Sequence, residues 1–274
     1  MDFKDTKNKN ELLSSIDILF DDFASILKTN VNAGDKNYKK AALLYYWLRD
    51  YKNYIKNEGK FSSKYLPAYE RGAIVNVNFG FNVGNEFGGL HYAVVLADSG
   101  PANPNVIVLP LKSLKKEISS LHKHELFLGN ELYNRLYGNF VALSTSLKQQ
   151  LEELTKRNEI VQNRARTLKV LFQEGTAPEP KIQELVDSFS KETEEILKDA
   201  EIAKEKQEKI KRLLKELQKM KIGSVALMDQ IKTISKMRIK NPTNKQDILY
   251  GIKLSSENLT KIDNKIIEIY TNKH

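Results

Sequence analysis

The stretch Arg71-Gly-Ala-Ile-Val-Asn-Val-Asn-Phe-Gly-Phe-Asn-Val-Gly-Asn-Glu-Phe-Gly-Gly-Leu-His91-Tyr-Ala-Val-Val-Leu96 decides the fold. Two β-patterned runs, Ile74–Phe79 and Tyr92–Leu96, flank a loop rich in Gly and Asn, which predicts a hairpin. His91 sits where that loop enters the second strand. Glycines let a backbone approach a ligand closely, and an imidazole moves protons near neutral pH. Phosphate chemistry on a bound polynucleotide is one use of such a pair. A plain hairpin, with glycines serving turn geometry and an incidental histidine, is the other reading.

Working outward, Val106–Pro110 and Glu125–Leu128 are further short apolar runs, and Ser99-Gly-Pro-Ala-Asn-Pro-Asn105, ahead of the first of them, is a clear turn. This spacing predicts a small, strongly curved antiparallel sheet or barrel. Upstream, the period is helical. Glu11–Lys28 carries Leu12, Ile16, Leu19, Phe20, Phe23 and Leu27 on one face. Tyr38–Lys56 has an aromatic-rich side containing Tyr45, Trp47 and Tyr51, interleaved with Lys. Such a side stacks on bases in some proteins and packs against a neighbouring domain in others.

Downstream, apolar residues recur at near-heptad spacing from Leu136 to Phe172 and again from Ile182 to Met220. The breaker Gln173-Glu-Gly-Thr-Ala-Pro-Glu-Pro180 divides them, which predicts two helices folded into an antiparallel coiled coil. Thr193, Asp199 and Lys206 interrupt the second arm's seam, so the middle is expected to be weaker than the ends. Asn139–Ser146 is β-prone and offers an alternative strand. After Met220 come a strand candidate at Ser224–Met228, another at Ile248–Leu254, and a final helix capped by Ser255 or Ser256.

Composition narrows the function. With 41% hydrophobic and 29% charged residues, the 274-residue chain reads as a folded protein with a proper core. No apolar run reaches bilayer-spanning length and the first ten residues are polar, so a cytoplasmic protein without a membrane partner is expected. Cysteine is absent, which excludes disulfides and thiolate metal sites. Four histidines, of which only His122 and His124 lie close in sequence, give little basis for a metal centre; no metal and no cofactor are expected. The net charge of +9 suits an anionic partner. Lys221–His274 concentrates it, with ten Lys/Arg against five Asp/Glu.

Three strings resemble the MazF/PemK-like toxins. Arg71-Gly-x-Ile-Val, followed by Gly84-Asn-Glu86-Phe-Gly-Gly89 and His91-Tyr-Ala-Val-Val-Leu, is similar to that family's first hairpin. Val108-Leu-Pro-Leu-Lys-Ser113 is similar to its next strand, and Ser224-Val-Ala-Leu-Met-Asp-Gln-Ile-Lys-Thr-Ile234 to its later strand and turn. The resemblance implies an α+β chain built on a small curved antiparallel β-barrel, SH3-like and of the MazF/CcdB type. N-terminal helices precede the barrel, and a long antiparallel coiled-coil hairpin interrupts it. The implied division is 1–64 helical region, 65–128 first part of the barrel, 129–220 coiled-coil insertion, and 221–274 second part with the C-terminal helix.

The same resemblance implies a bacterial, cytoplasmic toxin of a toxin–antitoxin system. Its expected activity is that of a metal-independent endoribonuclease cutting single-stranded RNA by 2′-hydroxyl attack, leaving 2′,3′-cyclic phosphate and 5′-hydroxyl ends. Expected partners are single-stranded RNA and a cognate antitoxin, and a homodimer is admitted. The family's catalytic arginine falls on His91, its following proline on Tyr92, and its catalytic threonine on Lys112, followed by Ser113. His91 is then the candidate general base or acid, Lys112 the charge-neutralising group and Ser113 a hydrogen-bond donor. Glu86 orients His91, accepts the 2′-hydroxyl proton, or binds loop amides. Arg71, Asn85, Gln230 and Lys232 are candidate substrate contacts. Two other functions remain open at this level: a non-catalytic binding toxin, since relatives of this fold inhibit a topoisomerase by binding it, and a scaffold whose working part is the coiled coil.

Overall fold

A computed structural model describes residues 4–114, 121–175, 178–221 and 223–271. The chain is α+β, with an open antiparallel sheet of seven strands and a long helical hairpin. Helices α1 (Lys9–Asn32) and α2 (Asp35–Asn57) come first. Strands β1 (Ile74–Asn78), β2 (Leu90–Val95), β3 (Asn105–Ser113) and β4 (Glu125–Phe127) follow. The hairpin helices are α3 (Glu131–Glu174) and α4 (Glu179–Lys219). Strands β5 (Ser224–Leu227), β6 (Lys232–Ser235) and β7 (Ile239–Asn241) and helix α5 (Ser256–Tyr270) complete the chain.

The sheet is organised around β3. One edge of β3 pairs with β2, through Ala93 opposite Pro110 and Val95 opposite Val108. Its other edge is shared: Asn105–Val108 pair with β6, and Leu111–Ser113 pair with β5. β1 joins β2 on one side and β7 on the other. β6 and β7 thus sit at opposite ends of the order β6-β3-β2-β1-β7, yet only Lys236–Arg238 separate them in sequence. The five strands must therefore curl until their ends meet. No β6–β7 ladder closes the curl among the described residues, so the expected closed barrel is an open, curled sheet.

Both faces of the central strands are covered, because alternate residues point to different cores. Val75, Val77, Ala93, Val95, Val106, Val108, Ile234 and Ile239 fill the inside of the curl. Ile74, Val94, Leu109 and Leu111 face a second cluster, built with the roots of α3 and α4, α5 and the segment 248–254. Lys236 pins the turn between β6 and β7 although it is only 1% exposed. Its Nζ donates to the carbonyls of Ser99 (3.2 Å) and Gly100 (2.7 Å) and lies over the Tyr69 ring. Burial lowers its pKa.

Several expectations change. Ile248–Leu254 is no strand: it is a turn segment that buries Ile248, Leu249, Ile252 and Leu254, with one isolated bridge from Ala73 to Lys253. β6 and β7, too short to show alternation, take its place in the sheet. Asn139–Ser146 is helical, because packing of Leu136, Phe140 and Leu143 against the core outweighs local β-propensity. Ser255 caps α5 as expected, its Oγ accepting from the Asn258 amide. At the breaker, α3 ends on Gly175 in the left-handed conformation and α4 begins after Pro178; Thr176 and Ala177 lie outside the described residues.

The hairpin arms are 44 and 41 residues long, about 60–66 Å at helical rise. Two of the polar residues expected to weaken the seam are paired across it. Gln150 meets Lys206 (2.8 Å), Arg157 meets Asp199 (2.5 Å) and Arg164 meets Glu192, seven residues apart on each arm. Exposed pairs of this kind contribute little energy, but a polar pair in each heptad fixes the register. Thr193 instead donates to the Phe189 carbonyl within its own helix.

The N-terminal helices behave differently from one another. The apolar face predicted for α1 is covered only towards its end: Phe23 and Leu27 are half-buried, but α1 holds no fully buried residue, and Leu12, Leu19 and Phe20 are exposed. α2 docks against the sheet through Trp47, whose ring lies so close to Gly80 that a Cβ there would sit 2.8 Å from it. Asp50 accepts from the Asn78 amide (2.9 Å), and the Arg238 guanidinium lies 5.3 Å from the Trp47 ring.

The hairpin root is part of the core: Leu213 is fully buried and Leu217 nearly so, beside Leu132 and Leu136. Leu213→Ala is therefore expected to lower the stability measured by urea denaturation by about 3 kcal/mol. Removing residues 151–205 with a short linker, which cuts the arms above the root, should retain cooperative unfolding.

Candidate functional site

β2 and β3 bring His91 and Lys112 to one place. By alternation His91 falls on the same side of β2 as Ala93, and Lys112 on the same side of β3 as Pro110, the residue paired with Ala93. Pairing stops at Ala93–Pro110, and beyond it a cavity of about 410 Å³ opens. His91, Lys112 and Ser113 line it together with Asn76, Ser224 and Lys240. The hairpin root supplies Glu216, Lys219, Met220 and Lys221 to the opposite wall. Four lysines and one glutamate line it; Lys112 and Lys240 also have carboxylates beside them, Glu125 and, at 4.0 Å, Asp50.

A second cavity of about 580 Å³ adjoins the first and shares Leu90, His91 and Lys240 with it. Its walls are α2, through Leu43, Tyr46, Trp47 and Asp50, and the glycine loop, through Gly80 to Asn82, Gly84, Glu86, Gly88 and Gly89. Together the two hollows form one groove with His91 at the junction.

The glycine loop is held as a rigid turn. Gly89 N–H donates to the Gly80 carbonyl (2.7 Å), and a Cβ on Gly88 would lie 2.6 Å from the same oxygen. The carbonyl of Phe87 accepts from the Asn82 amide (2.7 Å) and from Lys232 Nζ (3.5 Å), while its N–H donates to Gln230 Oε1 (3.1 Å). This clamp presents the Phe87 ring to His91, with centroids 4.4 Å apart. Gln230 and Lys232, expected as substrate contacts, thus meet the loop backbone and line neither cavity.

Arg71 is likewise a structural tie. Its guanidinium donates to the Leu96 carbonyl and pairs with Asp263 of α5, away from the groove. Asn85 is exposed on the loop and lines neither cavity. Glu86 shares the second cavity with His91 but does not line the first with Lys112. Its carboxylate makes no hydrogen bond to loop amides among the described residues.

Two polar contacts set the electrostatics of the first cavity. Lys112 Nζ is paired with Glu125 of β4, whose carboxylate also accepts from the His122 N–H (3.3 Å). Burial pushes the Glu125 pKa up, but these bonds outweigh it and hold the carboxyl below its ordinary value of 4.5. Tyr92, where the resembled family has proline, donates its phenol to Glu216 of α4. Burial and that carboxylate raise its pKa far above the usual phenol range, so the link between sheet and hairpin stays protonated at neutral pH.

Asn76 adds an unmet demand. Its Oδ1 is buried and has no hydrogen-bond partner among the described residues, and its side chain lines the first cavity. A buried acceptor without a donor is costly, and this oxygen, with almost no accessible surface, is a local strain on the packing of β1. Nothing in the hairpin motif distinguished Asn76 from its neighbours. Lys219 and Lys240 were equally hard to single out, because hairpin root and β7 reach the groove only through the fold. The basic character of Lys221–His274 was the one available signal, and Lys221 and Lys240 belong to it.

Glu125 has a folded-state pKa below its unfolded one, so its stabilising contribution is complete above about pH 4.5 and fades as acid protonates the carboxylate. Glu125→Gln is expected to cost about 1–3 kcal/mol at pH 7, by thermal or urea unfolding, and progressively less as pH falls below 4.

No protein-family model matches the chain, and no curated protein matches it.

Proposed function

We propose that the protein is a metal-independent endoribonuclease that cuts single-stranded RNA, and that it acts as the toxin of a toxin–antitoxin pair. The curled sheet serves as the barrel-like body of such an enzyme. One observation carries the chemistry: His91, Lys112 and Ser113 line one lysine-rich cavity, from adjacent strands of the curled sheet.

The reaction needs three things. The ribose 2′-oxygen loses its proton and bonds to the adjacent phosphorus, the bond from phosphorus to the 5′-oxygen breaks, and that leaving oxygen takes up a proton. His91 is the proton-transfer group, able to serve as base and then as acid. Lys112 stabilises charge on the non-bridging oxygens, and Ser113 donates a hydrogen bond to them. Glu86, on the second cavity's side, orients the imidazole. Lys219, Lys221 and Lys240 hold flanking phosphates. The antitoxin, in this reading, covers the same groove.

The Lys112–Glu125 pair favours a second reading. An ammonium already neutralised by a carboxylate attracts a phosphate less strongly, and a groove of this kind could bind a protein without cutting RNA.

Purified protein is expected to cleave single-stranded RNA in the presence of EDTA, leaving cyclic-phosphate ends. His91→Ala should lower the rate roughly 10²–10⁴-fold. Lys112→Ala should lower it as well, with partial recovery in Lys112→Arg. Toxicity that persists in His91→Ala without RNA cleavage would replace the enzyme with the binding protein.

A further inference from the structure

We propose that the cleft between α2 and the glycine loop is a binding subsite for an unstacked nucleobase of single-stranded RNA, next to the phosphate at His91. This deepens the ribonuclease reading and rests on it.

The two halves of the groove divide their chemistry. The first cavity carries Lys112, Lys219, Lys221 and Lys240, which suit a sugar–phosphate backbone. The second is walled by Leu43, Tyr46, Trp47 and Phe81 together with loop glycines, which suit the flat apolar face of a base. Its volume, about 580 Å³, falls within the range of small-ligand sites. Because Leu90, His91 and Lys240 line both cavities, a strand whose phosphate lies at His91 reaches the cleft with an adjoining base.

The aromatic rings have separate roles. Trp47 is a wall: it stacks on Tyr51, with centroids 5.6 Å apart, and the Arg238 guanidinium lies 5.3 Å from its ring. Its packing is therefore already satisfied by the protein. Phe81 is half-buried and stacks on no other aromatic ring among the described residues. Tyr46 is 53% exposed, with Tyr45 edge-on and Arg49 above it. Phe81 is the stacking platform, the exposed Tyr46 ring, with Arg49 on one face, forms its rim, and α2 gives this chain a wall that lies outside its MazF-like strings.

Trp47 is the only tryptophan of the chain and lines the cleft, so its emission reports occupancy there and not of the lysine-rich cavity. The test uses a 2′-O-methylated RNA pentamer, which cannot be cut, and the same pentamer with abasic sugars, which keeps the phosphates. The pentamer should change Trp47 emission and the abasic version should not. Stacking contributes about 1–3 kcal/mol per base, so Phe81→Ala and the surface variant Tyr46→Ala should weaken pentamer binding roughly 5- to 150-fold. Neither should change binding of the abasic version, and circular dichroism verifies that both variants fold. Pentamer binding that depends on Lys112, with silent Trp47 and unchanged affinity in both variants, overturns the subsite alone. A pentamer that does not bind at all overturns the ribonuclease reading and the subsite with it.

Discussion

The structure depends on how the second edge of β3 is filled. Its partners there, β5 and β6, come from residues 224–235, more than a hundred residues further along the chain. Two helices of 44 and 41 residues lie between, and they must hand the chain back where it left. An antiparallel hairpin does this by construction, since its two ends lie together. The β4–β5 ladder then clamps the base, with Phe127 opposite Val225 and Glu125 opposite Leu227. A flexible loop of this length would carry a closure cost that a stiff, self-paired hairpin largely removes.

Closure at the base makes the hairpin more than an appendage. Leu213 and Leu217 are core residues, Tyr92 is bonded to Glu216, and Lys219 and Lys221 line the cavity beside His91. The hairpin helices thus end in the groove itself. α2 makes a similar contribution from the opposite side, with Trp47 against Gly80 and Asp50 against Asn78. The groove is thus assembled from the sheet and from two helical elements lying outside the stretches that resemble the toxin family.

The first hairpin of the sheet was legible because alternation and glycine punctuation are local signals, and β1 and β2 fall within two residues of expectation. The coiled coil was legible because heptad spacing persists over many turns. β6 and β7 were not: three or four residues cannot display a period, and their pairing partners are remote. At the groove, His91, Lys112 and Ser113 were singled out from motif positions and meet in space. Gln230 and Lys232 came from an equally motif-like string, yet they bond the Phe87 backbone. A motif does not reveal whether a side chain faces the groove or the loop that shapes it.

By itself the sequence determined what local periodicity encodes: helix, strand, breaker and cap, together with the basic excess of the last fifty residues. The tertiary structure decided everything that depends on distant segments meeting. It set the open curl of the sheet, because β6 and β7 approach without pairing. It set the pairing of Lys112 with Glu125, because β5 brings β4 alongside β3. It also left Asn76 Oδ1 buried without a hydrogen-bond partner among the described residues, since that depends on how β2 and β7 pack beside β1.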